Sequence, residues 1–280
     1  MRALFALVAP LLFINLLPAA EPLRVMTYNI RYDNAGDGEN AWPKRRDWVG
    51  EIIREEKVDI LGVQEATAGQ MKDLRERLPE YEWYGAGRED GKERGEFVPL
   101  FWKKDRFEVV DKGMFWLSTT PDVPGSKGWD TAITRMATWA KLKDKSSGKS
   151  YFAINTHFDH RGVEARKESA KLMLEKLPKL AGDLPVILTG DFNCTPNSDP
   201  YAILSGKKAA GTWLLADSRA VSKSEPRGPV GTFNNFTRIS DQPIDYIFIK
   251  GLTSLSHAVL ETVKDGKFAS DHLPVLVELE

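Results

Sequence analysis

Six short polar motifs, each at one end of an apolar run, limit the fold of this chain more than any other feature. In chain order they are Thr27-Tyr-Asn29, Val63-Gln-Glu65, Asn155-Thr-His157, Gly190-Asp191-Phe-Asn193, Ile244-Asp245-Tyr and Ser270-Asp271-His272. Short apolar runs are typical of buried β-strands, and a strand end holds its side chain at a fixed place on the edge of a sheet. A fold that brings these strand ends to one side therefore collects all six motifs in one site.

The segments between the motifs predict the remaining secondary structure. Helices are predicted over residues 42–56, 70–78 and 164–180, and further strands over 83–84, 97–102, 108–110, 115–117 and 139–143. Strands in both hairpin and strand–helix–strand contexts predict an α/β fold of mixed sheets, with helices on their outer faces. The polar stretches 33–40, 85–96 and 119–130 predict long surface loops.

The first residues differ from the rest of the chain. Arg2 precedes an apolar run from Ala3 to Leu17, and small residues follow up to Ala20. The run is shorter than the ~20 residues that span a membrane, so residues 1–20 are interpreted as a secretory signal peptide, with a membrane anchor as the alternative. We therefore expect a secreted or periplasmic protein whose mature chain has no membrane span. No repeat, linker or shift of composition divides residues 21–280, which predicts a single domain.

Charge and cysteine content exclude some classes of protein. The chain has 39 basic and 40 acidic residues, for a net charge of -1. Proteins that grip long nucleic acid through many phosphates usually have a basic excess, so a compact phosphoester is the better substrate. The single cysteine, Cys194, excludes an intrachain disulfide framework. No pattern of a thiol nucleophile surrounds it, and it is interpreted as a small buried residue.

The side chains of the six motifs share one chemistry. Most are carboxylates and amides, whose oxygens suit Mg²⁺ or Mn²⁺ better than a structural Zn²⁺. His157 and His272 add a base and donors for phosphate. Each motif alone has an ordinary explanation, such as a turn at Gly190 or a helix cap at Glu65. Six of them at strand ends of one chain favour a functional site.

With these motifs in this order, the sequence resembles the endonuclease/exonuclease/phosphatase superfamily, also called deoxyribonuclease-I-like, and within it the exported bacterial members. The matching segments extend from Thr27 to His272, so the resemblance covers nearly all of residues 21–280. It implies an α/β fold in which two sheets of mixed strands form a sandwich with helices on the outer faces. It also implies a metal-dependent phosphoesterase site at one edge of that sandwich.

The resemblance implies a site for Mg²⁺ or Mn²⁺. Glu65 is expected to be the main metal ligand, with Asn29 beside it, and Asp271 is expected to bind or orient near the ion. The physical reason is that a site rich in acidic residues repels a phosphoester. A divalent ion neutralises that charge and polarises the phosphoryl oxygen.

The resemblance also implies five catalytic residues. Asp191 and Asn193 are expected to position the attacking water and the phosphate, and His157 to donate to the phosphate. Asp245 is expected to orient His272, which acts on the water or on the phosphoryl oxygens. Either Asp191 or His272 is the general base.

Four more residues are candidates for substrate binding. The guanidinium of Arg135 matches phosphate oxygens, and the alternative is an ordinary strand-edge arginine. Asp159, His160 and Arg166 follow the third motif in a segment that resembles exported bacterial members. They are expected to line the pocket, and the alternative is a clamp of hydrogen bonds within the loop.

The expected activity is hydrolysis of a phosphodiester by in-line attack of an activated water, in a nuclease or a small-molecule phosphodiesterase. The alternatives are a phosphomonoesterase or a lipid-headgroup phosphodiesterase on the same site, or an inactive module that binds a phosphorylated ligand. The substrate candidates are nucleic acid, nucleotide, phospholipid headgroup and sugar phosphate, and no obligate protein partner is indicated. A serine hydrolase is excluded because the chain has no G-x-S-x-G motif.

Overall fold

A computed structural model describes residues 21–206 and 214–280 of the chain, and the predicted signal peptide lies outside these residues. The helices in this part are α1 (Trp42–Glu55), α2 (Ala68–Arg77), α3 (Val163–Ala181) and α4 (Asp199–Leu204), with a 3₁₀ helix over Ala35–Asn40. The strands are β1 (Leu23–Asn29), β2 (Ile60–Gln64), β3 (Tyr81–Tyr84), β4 (Leu100–Lys103), β5 (Phe107–Trp116), β6 (Met136–Asp144), β7 (Ser150–His157), β8 (Val186–Asp191), β9 (Ala216–Asp217), β10 (Asp245–Lys250), β11 (Ser254–Val259), β12 (Val263–Lys264), β13 (Lys267–Phe268) and β14 (Val275–Leu279).

Two mixed sheets of six strands form the centre of the fold. Their strand orders are β11-β14-β1-β2-β4-β3 and β5-β6-β7-β8-β10-β9. Strands β1 and β2 are parallel, as are β7 and β8, and the other pairs within the two sheets are antiparallel. Strands β12 and β13 form a separate small hairpin.

Side chains that alternate along each strand build the layers. Val25 and Ile60 of one sheet pack against Ile187 and Ile247 of the other, in an apolar core between the sheets. Each fully buried side chain of this kind contributes roughly 1.5–3 kcal/mol. On the outer faces, α1 and α2 cover the first sheet, and α3 and α4 cover the second. The predicted α/β sandwich with helices on its outer faces is therefore confirmed.

The topology brings the six motifs to one end of the sandwich. Parallel strands β1 and β2 end together, where Asn29 pairs with Gln64, and parallel strands β7 and β8 end where His157 pairs with Asp191. Strand β10 runs antiparallel to β8, so its first residue, Asp245, also pairs with Asp191. The last motif precedes β14, which runs antiparallel to β1 and therefore begins at the same end.

Several elements differ from the sequence predictions. The two strands predicted over 108–110 and 115–117 are one strand, β5, because the polar residues between them also pair with β6 beyond a register shift after Val109. The loop predicted over 33–40 contains a 3₁₀ helix, whose start is capped by the Asn34 side chain. Strand β11 and helix α4 were not predicted, since neither has a clear apolar period.

Candidate active site

The six motifs surround one cavity of about 520 Å³ at this end of the sandwich. The predicted site residues that line the cavity are Glu65, Arg135, His157, His160, Asp191, Asn193, Asp271 and His272. Asn29 and Asp245 are buried behind this wall, where they form hydrogen bonds with Asp191 and His272 respectively. The structure thus brings the metal and catalytic candidates together.

His272 is held between two carboxylates. Its Nδ1 donates to Asp245 Oδ2 over 2.9 Å, and its Nε2 lies 3.8 Å from Asp191 Oδ2. The Thr232 hydroxyl donates to the same oxygen of Asp245 over 2.6 Å. Burial alone would lower the pKa of His272, but the Asp245 carboxylate raises this pKa well above its ordinary value. Asp245 therefore fixes the ring of His272 and stabilises its positive charge.

Asp191 occupies the centre of the site. Its Oδ1 accepts from the backbone N–H of Asn193 over 2.9 Å, and its Oδ2 accepts from the Asn29 amide over 3.0 Å. Burial raises the pKa of Asp191 above its ordinary value, and the neighbouring charge of Asp245 raises it further. Asp191, Asp245 and His272 offer ligand atoms within 4.8 Å of one another, so this buried group could also hold a metal ion.

His157 is neutral and has a ring nitrogen without a partner among the described residues. The Asn193 amide nitrogen lies 3.1 Å from both the Phe158 carbonyl oxygen and His157 Nε2. His157 Nε2 also lies 3.4 Å from Asp191 Oδ2, so this nitrogen faces both an amide donor and a carboxylate acceptor. Nδ1 is buried and has no hydrogen-bond partner among the described residues. Burial, aided by the charge of Arg135, lowers the pKa of His157 well below its ordinary value.

Glu65 follows β2 in a strained backbone conformation. Its φ of 66° lies in the left-handed region, which costs a residue other than glycine about 1–3 kcal/mol. The carboxylate accepts from the Asn29 amide and from the Tyr32 backbone N–H, each over 3.1 Å. Asn29 therefore bridges Glu65 and Asp191, because the same amide nitrogen donates to both.

The carboxylates of Glu65 and Asp271 fit a divalent metal ion. The Asn29 amide directs its nitrogen at Glu65, while its oxygen accepts from the backbone N–H of Arg31 over 3.0 Å. Burial raises the pKa of Asp271, and the charge of Glu65 adds to this effect, so the two carboxylates repel each other. A cation among them would remove this repulsion. Carboxylate and amide oxygens are also the ligands that Mg²⁺ and Mn²⁺ prefer.

The structure corrects the prediction that Asp159 and Arg166 line the cavity. Asp159 is only 1% exposed, and its carboxylate accepts from the Thr131 hydroxyl and from the backbone N–H groups of Ala132, Ile133, Arg161 and Gly162. Arg166 donates to the backbone oxygen of Asp159 over 2.9 Å. Both residues therefore belong to a clamp of hydrogen bonds that joins two loops, and Arg135 and His160 remain as cavity residues.

A polar contact between the sheets supports the site and was not predicted. The Gln64 amide donates to Asn155 Oδ1 over 2.7 Å, and Asn155 donates in turn to the backbone oxygen of Val63. The sheets approach so closely here that a Cβ on Gly62 would lie 2.2 Å from Thr189 Oγ1. Polar residues within otherwise apolar strands could have indicated a buried polar contact, but the sequence does not show which of these residues face each other.

Cys194 does not supply a nucleophile. The residue is a free, buried cysteine, and burial raises the pKa of its thiol to about 12. Because the thiolate is the reactive form, the side chain is inert at neutral pH. The interpretation of Cys194 as a small buried residue agrees with this placement.

Comparison with known proteins gives the same fold. A sequence profile described as Endonuclease/Exonuclease/phosphatase family matches residues 26–272. A crystal structure of an endonuclease/exonuclease/phosphatase from Bacteroides vulgatus is 42% identical, with a TM-score of 0.88 over 93% of this chain and 99% of that chain. A mannosyl-6-phosphatase from Bacteroides thetaiotaomicron is 38% identical, with a TM-score of 0.85 over 92% of this chain and 99% of that chain.

Curated relatives match with lower identity. A protein of Acanthamoeba polyphaga mimivirus is 27% identical over 254 residues, which cover 85% of this chain and 92% of that protein. The next relatives are longer, and the chain spans half of their length or less. What those whole proteins do is therefore not transferred to this chain.

Proposed function

The chain belongs to the endonuclease/exonuclease/phosphatase family, whose members are metal-dependent phosphoesterases, and we propose that it is an exported enzyme that hydrolyses a small phosphomonoester with Mg²⁺ or Mn²⁺. The observation that carries this proposal is the cavity in which Glu65, Asp271, Asp191 and His272 meet. Buried acidic residues and histidines in one cavity suit the hydrolysis of a negatively charged ester only when a cation is present.

Glu65 and Asp271 would hold the metal ion, with Glu65 as the main ligand and Asn29 beside it to orient the Glu65 carboxylate. When bound, the ion neutralises the negative charge of the ester and polarises a phosphoryl oxygen. The positive φ of Glu65 supports this role, because strained residues are concentrated at functional sites. The hydrogen bonds from Asn29 and Tyr32 hold the Glu65 carboxylate in one orientation.

Asp191 is the general base in this proposal. Both ring nitrogens of His272 point at carboxylates, Nδ1 at Asp245 and Nε2 at Asp191, which favours a ring with a hydrogen on each nitrogen. Such a ring cannot accept a proton but can donate to a phosphoryl oxygen. Asp191 then takes the proton of the attacking water, whose oxygen bonds to phosphorus while the ester bond breaks on the opposite side.

His157 and Asn193 hold the phosphate for this attack. His157 Nδ1 has no protein partner, and with the ring hydrogen on this nitrogen it would donate to a phosphoryl oxygen. Asn193 has a φ of 46°, and its backbone N–H and amide tie together Asp191, His157 and Phe158. This arrangement would keep the donor of His157 and the base of Asp191 at a fixed separation.

A phosphomonoester is preferred here to the phosphodiester expected from the sequence. The mannosyl-6-phosphatase is 38% identical to this chain over nearly its whole length, which supports a sugar-sized alcohol as the leaving group. A cavity of about 520 Å³ is of the size that takes small molecules. The net charge of -1 also favours a compact substrate over long nucleic acid.

Export is proposed on the sequence of residues 1–20. The structure adds that no helix of residues 21–206 and 214–280 is long and apolar enough to cross a membrane. Expression of the full chain in a bacterial host, followed by fractionation and N-terminal sequencing, tests the proposal. A mature protein that begins near Glu21 in the periplasm or medium is expected, and an uncut chain in the cytoplasm would contradict export.

The activity is tested with purified protein from which metal has been removed. Hydrolysis of mannose 6-phosphate, p-nitrophenyl phosphate and bis(p-nitrophenyl) phosphate is measured after addition of Mg²⁺, Mn²⁺ or EDTA. We expect the monoesters to be hydrolysed with a higher kcat/KM than the diester, and only with added metal. A higher kcat/KM for the diester would instead support a phosphodiesterase.

A further inference from the structure

We propose that Arg135 recognises the phosphoryl group and makes the site select a phosphomonoester over a phosphodiester, an inference that rests on the proposed function. Arg135 directly precedes β6 and its side chain lines the cavity. Only 4% of the residue is exposed. A cation buried in a cavity wall needs hydrogen-bond acceptors, so donors that lack an acceptor in the protein indicate where a ligand would supply one.

The guanidinium of Arg135 has donors that the protein does not use. Nε and Nη1 are buried and have no hydrogen-bond partner among the described residues. Nη2 lies 3.1 Å from His160 Nδ1. Asp159 Oδ2 lies 3.7 Å from Nε, beyond hydrogen-bond distance. That oxygen already accepts from the Thr131 hydroxyl and from the backbone N–H groups of Ala132 and Ile133.

The other two buried arginines of the described residues have several protein acceptors. Arg45 donates to the backbone oxygens of Asn40, Ile30, Ala269 and Arg31. Arg88 forms a two-pronged ion pair with Glu96, with distances of 2.7 and 2.9 Å. Single buried nitrogens without a partner also occur in Arg46 and Arg219, but among the described arginines Arg135 has two of them in a cavity wall. The missing acceptor is expected to be an anionic ligand in the cavity.

The position of Arg135 links it to the reacting phosphate. Arg135 and His157 both line the cavity, and after burial the charge of Arg135 is the largest cause that lowers the pKa of His157. Asp191 also attracts Arg135. A phosphoryl group that meets Nδ1 of His157 and a water next to Asp191 is thus within the electrostatic reach of Arg135.

The chemistry of the two ester classes explains the selectivity. A phosphomonoester has three non-bridging oxygens and carries about −1.5 to −2 charges at neutral pH. A diester has two non-bridging oxygens and one negative charge, because its third oxygen is bonded to a second carbon substituent. With a diester, the free donors of Arg135 would face an ether oxygen and remain poorly paired. A site with buried unpaired donors rejects such a ligand.

Binding measurements on the metal-loaded protein test this without turnover. Inorganic phosphate and dimethyl phosphate are titrated at mildly alkaline pH into the wild type, R135Q and R135K, with thermal unfolding as the check of folding. We expect the wild type to bind inorganic phosphate roughly 10–100-fold more tightly than dimethyl phosphate, and R135Q to lose this ratio. R135K is expected to be intermediate, because it keeps the charge without the planar fork.

The kinetic arm separates this inference from the proposed function. For p-nitrophenyl phosphate and bis(p-nitrophenyl) phosphate, R135Q is expected to lower kcat/KM of the monoester by roughly 100-fold and that of the diester by much less. An unchanged ratio of the two kcat/KM values in both R135Q and R135K overturns the role of Arg135 while the phosphoesterase stands. A wild type that hydrolyses neither ester with Mg²⁺ or Mn²⁺ overturns both proposals.

Discussion

The two ends of the sandwich both bury charged side chains, and the same strands connect them. At the end away from the cavity, Arg106 donates to Asp59 over 2.6 Å and to Asp144 over 3.0 Å, and Lys103 lies 3.2 Å from Asp59. Asp59 precedes β2, which ends next to Glu65, and Asp144 ends β6. We call this cluster of Asp59, Lys103, Arg106 and Asp144 the paired end.

The cavity end has the same kinds of residue but not the same pairing. Two buried nitrogen atoms of Arg135 have no partner among the described residues. The same is true of one oxygen of Asp245, Oδ1, and one ring nitrogen of His157, Nδ1. The carboxylates of Asp191 and Asp271 have raised pKa values, chiefly because they are buried. Complete pairing stabilises the fold, whereas unpartnered donors and raised carboxylate pKa values at the cavity end support the proposed sites for a metal ion and a phosphate.

The largest effect is expected from E65Q at the cavity end. Loss of the main metal ligand should lower kcat/KM by about 10³-fold or more, since the metal supplies several kcal/mol. The thermal midpoint should stay the same or rise, because one of several mutually repelling carboxylates is removed. The matched control is E55Q, at an exposed glutamate of α1. Equal activity of E65Q and E55Q would show that Glu65 does not hold a required metal.

The next effect concerns the orientation of His272. D245N removes the carboxylate that fixes and charges the ring, and we expect kcat to fall by about 10²–10⁴-fold with a smaller change in KM. T232V, which removes only the hydroxyl that donates to Asp245, should have a much smaller effect. Steady-state kinetics on a phosphomonoester compares the two. Wild-type kcat in D245N would remove His272 from the proposed mechanism.

At the paired end, D144N should change stability and leave catalysis intact. Asp144 is buried and accepts from Arg106 and from the Ser146 hydroxyl, so its loss should lower the free energy of unfolding by about 1–3 kcal/mol. The control is D111N, at an exposed residue of β5, and it should change the free energy of unfolding by less than about 0.5 kcal/mol. Denaturant unfolding measures both. A large loss of kcat in D144N would contradict the separation of the two ends.

The smallest effect is the pH dependence of the same group. Burial opposes ionisation, but hydrogen bonds from Ser146, Ser147 and Arg106 hold the pKa of Asp144 well below its usual range. Because the folded pKa lies below the unfolded one, this stabilisation is present above about pH 4 and is lost as the pH falls through the folded value. Acid unfolding should therefore be less steep in D144N than in the wild type. If the stability of D144N and of the wild type falls equally steeply with decreasing pH, Asp144 is not stabilised in its charged form.

The sequence was sufficient for the features that depend on local pattern. Apolar runs with polar ends predicted the main strands, and the family resemblance carried by these motifs implied the sandwich and the residues around the cavity. Asp159 shows where local pattern fails, and Arg135 is the contrast, since both were predicted to line the cavity and only Arg135 does. Both are charged residues next to apolar strands, yet Asp159 is enclosed by the loops of 131–133 and 161–162, and Arg135 faces the cavity. That difference arises from contacts between distant segments, which no short stretch of sequence records.

Metal dependence tests the central claim most directly. Hydrolysis of p-nitrophenyl phosphate by the purified, metal-free protein is followed during titration with Mg²⁺, alongside calorimetric titration of Mg²⁺ into the wild type and E65Q. We expect no turnover in EDTA, saturable recovery with Mg²⁺ or Mn²⁺, and weakened binding of Mg²⁺ by E65Q. A full rate of hydrolysis in excess EDTA would contradict a metal-dependent phosphoesterase at the cavity end.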